Sequence, residues 1–205
     1  MALSTWLAFL LAAILIAVSP GPGAATSMSV GLRHGYWAAL RAIGGLQAAL
    51  LIQLGIVAAG LGALLATSAT AFDLMKFLGA GYLVWLGIQK WRDAPQAIAT
   101  DSLPPQPDGL FLQGLLVNLT NPKAIVFMAA LTPQFVDPAR SQWTQFLILG
   151  TTMCGVDTLV MSGYALLATR LRHWLHDRRA MKAQNRFFGG VFVGAGVLLA
   201  ASGRG

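Results

Sequence analysis

Six long apolar stretches alternate with shorter polar segments along the chain. They cover Leu3–Thr26, Ala42–Ala66, Thr70–Ile88, Leu110–Leu131, Gln145–Leu167 and Phe187–Ala201. Each is near the length of about 20 residues that a helix needs to cross the hydrocarbon core of a bilayer. The pattern therefore predicts an all-α membrane protein with six transmembrane helices.

Proline and glycine interrupt the first and fourth stretches at intramembrane depth. Ser19–Gly23 reads Ser-Pro-Gly-Pro-Gly, and Asn121–Lys123 reads Asn-Pro-Lys. Proline removes a backbone donor and glycine permits unusual backbone shapes, so nearby carbonyls and amides lose their helix partners. Such groups are tolerated in a membrane only where protein or a water-filled cavity surrounds them. A proline kink absorbed by packing explains either break alone, but two corresponding breaks predict a substrate site.

The chain also divides into two halves with three apolar stretches each. Residues 93–108 between them are polar and proline-rich, as expected of a linker. The sequence KFLGA at residues 76–80 matches RFFGG at residues 186–190, although two apolar helices can also agree by chance. Three crossings per half would make the halves run in opposite directions. We therefore predict one transmembrane domain of two inverted repeats, residues 1–92 and 109–205.

The overall composition supports a bilayer environment. Of the 205 residues, 56% are apolar and only 10% are charged, which is too few for the surface of a soluble domain of this size. The first stretch lacks a basic leading segment and a small-residue cleavage site, so we expect it to be retained rather than cleaved as a signal peptide. Close helix contacts are expected at Gly44 and Gly45 and at the Gly190-x-x-x-Gly194 spacing.

Basic residues are distributed unevenly between the two sides of the predicted membrane. The net charge of +7 could suggest a nucleic-acid partner. In a membrane protein, however, the loops that hold the basic residues indicate which side of the membrane faces the cytoplasm. Ten basic residues flank or fill the first, third and fifth loops, against Lys76, Arg140 and Arg204 on the other side. We therefore expect those loops in the cytoplasm, both termini in the periplasm, and no nucleic acid. The ten are Arg33, Arg41, Lys90, Arg92, Arg170, Arg172, Arg178, Arg179, Lys182 and Arg186.

Neither a disulfide nor a metal site is predicted. The single cysteine, Cys154, lies in the fifth stretch and can form no intrachain disulfide, so it is expected to pack as a small apolar residue. His173 and His176 form an HxxH pair in the basic fifth loop without a third ligand nearby, which favours a solvated loop. We expect no metal and no cofactor.

Several motifs together resemble the LysE/RhtB family of amino-acid exporters. They are the Ser-Pro-Gly-Pro-Gly segment, KFLGAGYLVWLG in the third stretch, GLLVNLTNPKAIVF in the fourth, PQF after it, an aspartate in the fifth and RFFGGVFVGAGVLL in the sixth. The resemblance implies a multi-pass protein of the bacterial inner membrane that exports an amino acid or close derivative, driven by protons. Family members handle lysine, arginine, homoserine, threonine, leucine or cysteine-pathway metabolites. The motif positions carried over are Pro20, Gly21, Pro22, Gly23, Asn118, Asn121, Pro122, Lys123 and Asp157.

Lys123 and Asp157 stand out because each lies inside an otherwise uncharged stretch. A charge at the centre of a membrane helix costs about 3 kcal/mol, so each needs a partner or water. They could form a structural ion pair with each other. Alternatively, Lys123 binds a substrate carboxylate, and Asp157 binds its ammonium group or the coupling proton, which suits a zwitterionic amino acid.

Uncharged polar residues could complete a path through the membrane. Gln47 and Gln53 in the second stretch and Asn118 in the fourth can line such a path or bond between helices. Tyr164 lies two turns beyond Asp157 and could present its hydroxyl to the same cavity, although ordinary aromatic packing is the alternative.

Other functions fit the sequence less well. An inverted-repeat channel or facilitator for a small polar solute is the main alternative, because aquaporins combine inverted halves with Asn-Pro motifs. Those channels carry the motif in both halves, whereas no asparagine precedes Asn118 here. The chain has no glutamate and neither the HExxH nor the GxSxG motif, which argues against an intramembrane enzyme. The specific substrate, and whether the protein forms a homo-oligomer, stay open at this point.

Overall fold

A computed structural model of the protein describes residues 1–67, 69–92, 109–137, 139–168 and 178–201, and within these ranges it contains helices and no strands. The predicted all-α fold class is therefore confirmed for the described residues. The linker 93–108 and the pair His173 and His176 lie outside them. The α-helices are α1 (Leu3–Val18), α2 (Pro22–His34), α3 (Tyr36–Thr67), α4 (Ala69–Arg92), α5 (Leu110–Leu119), α6 (Pro122–Val126), α7 (Gln142–Leu166) and α8 (Arg178–Ala201).

Several of these helices are candidates for crossing a membrane. Tyr36–Gly60 in α3 and Gln142–Leu166 in α7 are each long and apolar enough to span a bilayer alone. The pair α1 and α2, and the pair α5 and Pro122–Phe135, each meet the same test when taken together. By length and composition, the described residues therefore hold up to four candidate spans, and the prediction of six spans stays a prediction.

Both predicted helix breaks are present, but each is shorter than the sequence indicated. The two helices of the first pair meet at a bend of 56°, and those of the second pair at 55°. Ser19, Gly21 and Asn121 have extended backbones, whereas Pro22 and Pro122 are already the first residues of α2 and α6. Proline suits this position because it lacks the N–H that would be unpaired there, and its φ is already helical. Helical structure therefore resumes before Gly23 and Lys123, inside the predicted breaks.

After α6, the chain continues without a straight helix. Phe127–Leu131 forms a π-helical turn and Thr132–Phe135 a 3₁₀ turn that leads into the loop before α7. Phe127 and Phe135 place their rings against Phe9 of α1, with centroids 5.8 and 5.2 Å away. These three phenylalanines fill the interior about two turns before the end of α1.

Helices α4 and α8 pack closely in antiparallel directions. A Cβ on Gly87 would lie 2.6 Å from the carbonyl oxygen of Gly189, and one on Gly196 would lie 2.7 Å from that of Ala80. Gly190 and Gly194, where the sequence predicted a close contact, have nothing within 4 Å of a Cβ. That prediction was wrong because residues 189 and 196, two turns apart, share the packed face of α8 instead.

Helix α3 packs as tightly against α5. A Cβ on Gly45 would overlap the carbonyl oxygen of Phe111, and one on Gly114 would overlap that of Ala42. Glycine therefore lets the two backbones touch, as predicted for Gly45. Helix α2 meets α7 in the same way, because a Cβ on Gly31 would lie 2.7 Å from the carbonyl oxygen of Ala165.

Candidate functional site

A small cavity lies between the two helix breaks. Its volume is about 30 Å³, enough for about two water molecules but not for an amino acid. Residues of α1, α2, α3, α5, α6 and α7 line it, together with Asn121 and Phe127. The polar and small residues that line it include Gly23, Asn118, Asn121, Lys123 and Asp157. The structure thus brings these five predicted site residues together around one small cavity.

Lys123 reaches from α6 to the broken end of α1. Its Nζ atom donates hydrogen bonds to the carbonyl oxygens of Ile16, at 2.9 Å, and Ser19, at 2.5 Å. Carbonyls at the end of a helix have no partner within the helix, and a cation there also interacts favourably with the helix dipole. Lys123 therefore caps α1 with a side chain from the opposite half of the chain.

Asp157 lies on α7 and is only 8% exposed. Its Oδ2 atom accepts a hydrogen bond of 2.7 Å from Nε2 of Gln47 on α3. Among the described residues, no salt bridge within 4 Å connects Asp157 to Lys123, so the two are not a direct ion pair in this state. Gln47 keeps its own Oε1 atom buried, without a hydrogen-bond partner in the described part of the chain.

Asn118 and Asn121 hold the second break in shape. Asn121 accepts from the backbone N–H of Lys123 at 3.1 Å and so caps the start of α6. Its Nδ2 atom donates to Oδ1 of Asn118, whose own Nδ2 atom donates to the carbonyl oxygen of Leu46 on α3. Gln53 adds a bond of 2.9 Å to the backbone carbonyl of Asn118. Asn118 and Asn121 therefore both support the break and line the cavity.

The prolines and Gly21 act through the backbone. Pro20, Pro22 and Pro122 shape the two breaks without being among the described residues that line the cavity. Gly21 lies directly beneath the lysine side chain, because a Cβ there would be 3.4 Å from Nζ of Lys123. A Cβ at position 21 would therefore be in ordinary van der Waals contact with that ammonium group.

Tyr164 has a different place from the one expected. Its hydroxyl donates a hydrogen bond of 2.7 Å to the carbonyl oxygen of Val18 and is not among the groups that line the cavity. Like Lys123, Tyr164 satisfies a carbonyl at the end of α1. The structure therefore places the side chain of Tyr164 at the broken end of α1 and not at the cavity.

The apolar walls of the cavity were missed by sequence reasoning. They are formed mainly by Leu46, Leu50, Phe127, Met153 and Met161. Met153 and Met161 lie one helical turn before and after Asp157, so helical spacing from that aspartate could have identified them. The leucines and Phe127 carry no comparable signal among many apolar residues.

This arrangement is suited to a small zwitterion. A positive group and a carboxylate from different helices line the same space, and apolar side chains surround them. The described residues contain no cluster of three or more metal-ligating side chains. Lys123 and Asp157 form hydrogen bonds to uncharged carbonyl and amide groups here.

Comparison with known proteins gives a consistent picture. A family profile described as LysE type translocator matches residues 14–203. An uncharacterized membrane protein of Vibrio cholerae is 47% identical, over 98% of this chain and 99% of its own. The homoserine/homoserine lactone efflux protein of Salmonella typhimurium is 46% identical over 96% of both chains, and a leucine efflux protein of an Enterobacter species is 30% identical over 94% and 93%. No solved structure matches the chain significantly.

Proposed function

Because this chain belongs to the LysE translocator family and is a transporter rather than an enzyme, we propose that it exports homoserine and its lactone in exchange for protons. The observation that carries this proposal is that Lys123 and Asp157 line the same cavity, which lies between two helix breaks. Discontinuous helices in a transporter commonly hold the substrate near the middle of the membrane. Lys123 binds the substrate carboxylate, and Asp157 binds its ammonium group.

The choice of homoserine rests on the relatives and on the cavity. A relative that is 46% identical is named for homoserine and homoserine lactone efflux, whereas those named for leucine efflux are about 30% identical. Leu46, Met153 and Met161 line a cavity of about 30 Å³, which has to enlarge less for a short side chain than for that of leucine or lysine. Unbranched methionines can adapt as the cavity opens around the substrate.

The proposed architecture is six membrane spans in two inverted repeats. Helices α1 and α7 run in the same direction, since both hydrogen-bonded pairs, Trp6 with Thr152 and Val18 with Tyr164, are 146 residues apart. Helices α3 and α5 form the equivalent parallel pair, since Ala42 faces Gly114 and Leu46 faces Asn118 at a constant spacing. The nearly equal bends of 56° and 55° support the same relation.

A further sign of the repeat is the contact between Gln47 and Asp157. These residues are 110 positions apart, the same spacing that relates KFLGA to RFFGG. Equivalent residues of two inverted repeats meet where they lie on the symmetry axis. We place the protein in the bacterial inner membrane with both termini in the periplasm, following the excess of basic residues in the first, third and fifth loops.

Proton coupling is assigned to Asp157. When the substrate brings its ammonium group to this carboxyl group from the cytoplasm, the ionised form is favoured and a proton leaves. Once the cavity opens to a more acidic periplasm, the substrate departs and the carboxyl group takes up a proton again. The small volume of the cavity fits alternating access better than a permanently open channel.

The test is an efflux screen in cells that overproduce the protein. Homoserine, homoserine lactone, leucine and lysine are loaded separately, and their release is followed with and without a protonophore. We expect saturable export of homoserine and its lactone that the protonophore abolishes. Release that is unaffected by overproduction would remove the assignment, and flux that never saturates and ignores the protonophore would instead indicate a channel.

A further inference from the structure

We infer that Lys123 is a latch on the hinge between α1 and α2, and that the substrate carboxylate releases it. This inference extends the proposed function, because it gives the substrate a role in starting the conformational change. It rests on the contacts of one ammonium group with both the hinge and the cavity.

The hinge is held through the carbonyl groups at the end of α1. Lys123 binds the carbonyl oxygens of Ile16 and Ser19, and Tyr164 binds that of Val18 between them. A carbonyl without a partner is costly at membrane depth, so these three bonds favour the bent arrangement seen here. The two side chains come from α6 and α7, and together they fix the broken end of α1 to the rest of the bundle.

The same ammonium group is within reach of a substrate. Lys123 lines the cavity, and its Nζ atom lies 3.4 Å from where a Cβ of Gly21 would be. An ammonium group has three N–H donors, of which the two carbonyls use two. The third can make the first contact with a carboxylate, before the bonds to the hinge are given up.

A carboxylate competes directly with the hinge for this group. Both kinds of bond have a charged donor, but a carboxylate carries a full negative charge and attracts the ammonium group more strongly than a carbonyl dipole does, so Nζ moves toward the substrate. Ile16 and Ser19 then lose their partner, while Tyr164 still anchors Val18 as a pivot. A substrate that presents only a neutral carbonyl, such as the lactone, draws Lys123 away less effectively and leaves the hinge more firmly closed.

Hydrogen–deuterium exchange of the purified full-length protein tests the latch. The readout is the exchange rate of the amides in residues 15–25, with residues 80–90 of α4 as an internal reference. Without substrate, Lys123→Met should exchange at least about tenfold faster than the wild type in residues 15–25 and equally in the reference segment. Lys182→Met, which removes an exposed lysine on α8, should behave like the wild type.

The second part of the experiment adds ligand to the wild type. Saturating homoserine should speed exchange in residues 15–25, and the lactone should do so much less. Equal exchange rates of residues 15–25 in Lys123→Met and in the wild type would overturn the latch. So would homoserine that binds to the wild type without changing the exchange rate of these residues. The comparison without substrate does not depend on the proposed substrate, so a failure of homoserine to bind would count against the proposed function alone. If Lys123→Met also exchanges rapidly in the reference segment, the variant is unfolded as a whole. The latch is then tested by whether homoserine speeds exchange in residues 15–25 of the wild type more than the lactone does.

Discussion

Lys123 and Asp157 show how a membrane protein keeps two ionisable groups at depth without pairing them. Lys123 satisfies carbonyls that the break in α1 leaves open, and Asp157 accepts from Gln47. Each group therefore has a neutral partner that a charged substrate group can replace. Sequence identified both residues, because a charge in an apolar stretch is conspicuous. It did not identify the partners of Lys123, because every residue has a backbone carbonyl and only the fold determines which are free.

At the residue scale, the coupling role of Asp157 can be tested by Asp157→Asn. The amide keeps the shape and much of the hydrogen bonding but cannot bind a proton reversibly. In proteoliposomes with an imposed pH gradient, we expect the variant to lose uphill accumulation of homoserine while it retains exchange of labelled for unlabelled substrate. Asp137→Asn, at an exposed loop carboxylate that pairs with Arg140, should pump normally. Uphill transport by Asp157→Asn would place the proton site elsewhere.

At the scale of helices, the structure depends on backbones that touch at glycine. The sequence predicted the six apolar stretches, and those that the structure describes are helical, because apolar length is a strong signal. It did not predict which glycines make contacts, since Gly45 and Gly55 look alike in an apolar helix. Only the packing of α5 distinguishes them: a Cβ on Gly45 would overlap Phe111, whereas one on Gly55 has nothing within 4 Å.

The matched pair Gly45→Ala and Gly55→Ala tests this difference within one helix. Alanine at position 45 must push α5 away from α3, which should lower the free energy of unfolding by about 1–3 kcal/mol, as overpacking does elsewhere. Alanine at position 55 should leave the free energy of unfolding unchanged. Unfolding in detergent, followed by circular dichroism, gives both values, and equal stability of the two variants would show that the α3–α5 contact is not as close as described.

For the whole molecule, the proposed arrangement is two halves that are inverted across the membrane. The sequence indicated a repeat through the breaks and the shared spacing of 110, and the contacts between α1 and α7 and between α3 and α5 agree with it. The volume of the cavity was beyond sequence reasoning, because it depends on how helices distant in sequence pack against each other.

The orientation can be tested with two single cysteines in a Cys154→Ala background. Arg140→Cys is exposed on the loop before α7, and Lys182→Cys is exposed near the start of α8. A maleimide that cannot cross membranes should label position 140 in intact cells and position 182 only after permeabilisation. The reverse pattern would overturn both the orientation and the direction of export that follows from it.

The most direct test of the central claim is the uptake of labelled homoserine by everted membrane vesicles, in which export appears as uptake. Lys182→Met, which removes an exposed lysine, should match the wild type. Lys123→Met should lower the uptake rate at subsaturating homoserine by about tenfold or more, because a hydrogen bond to a charged group contributes about 1.5–3 kcal/mol, and should lower lactone uptake less. If Lys123→Met vesicles take up homoserine as the wild type does, the cavity between the helix breaks is not the substrate site.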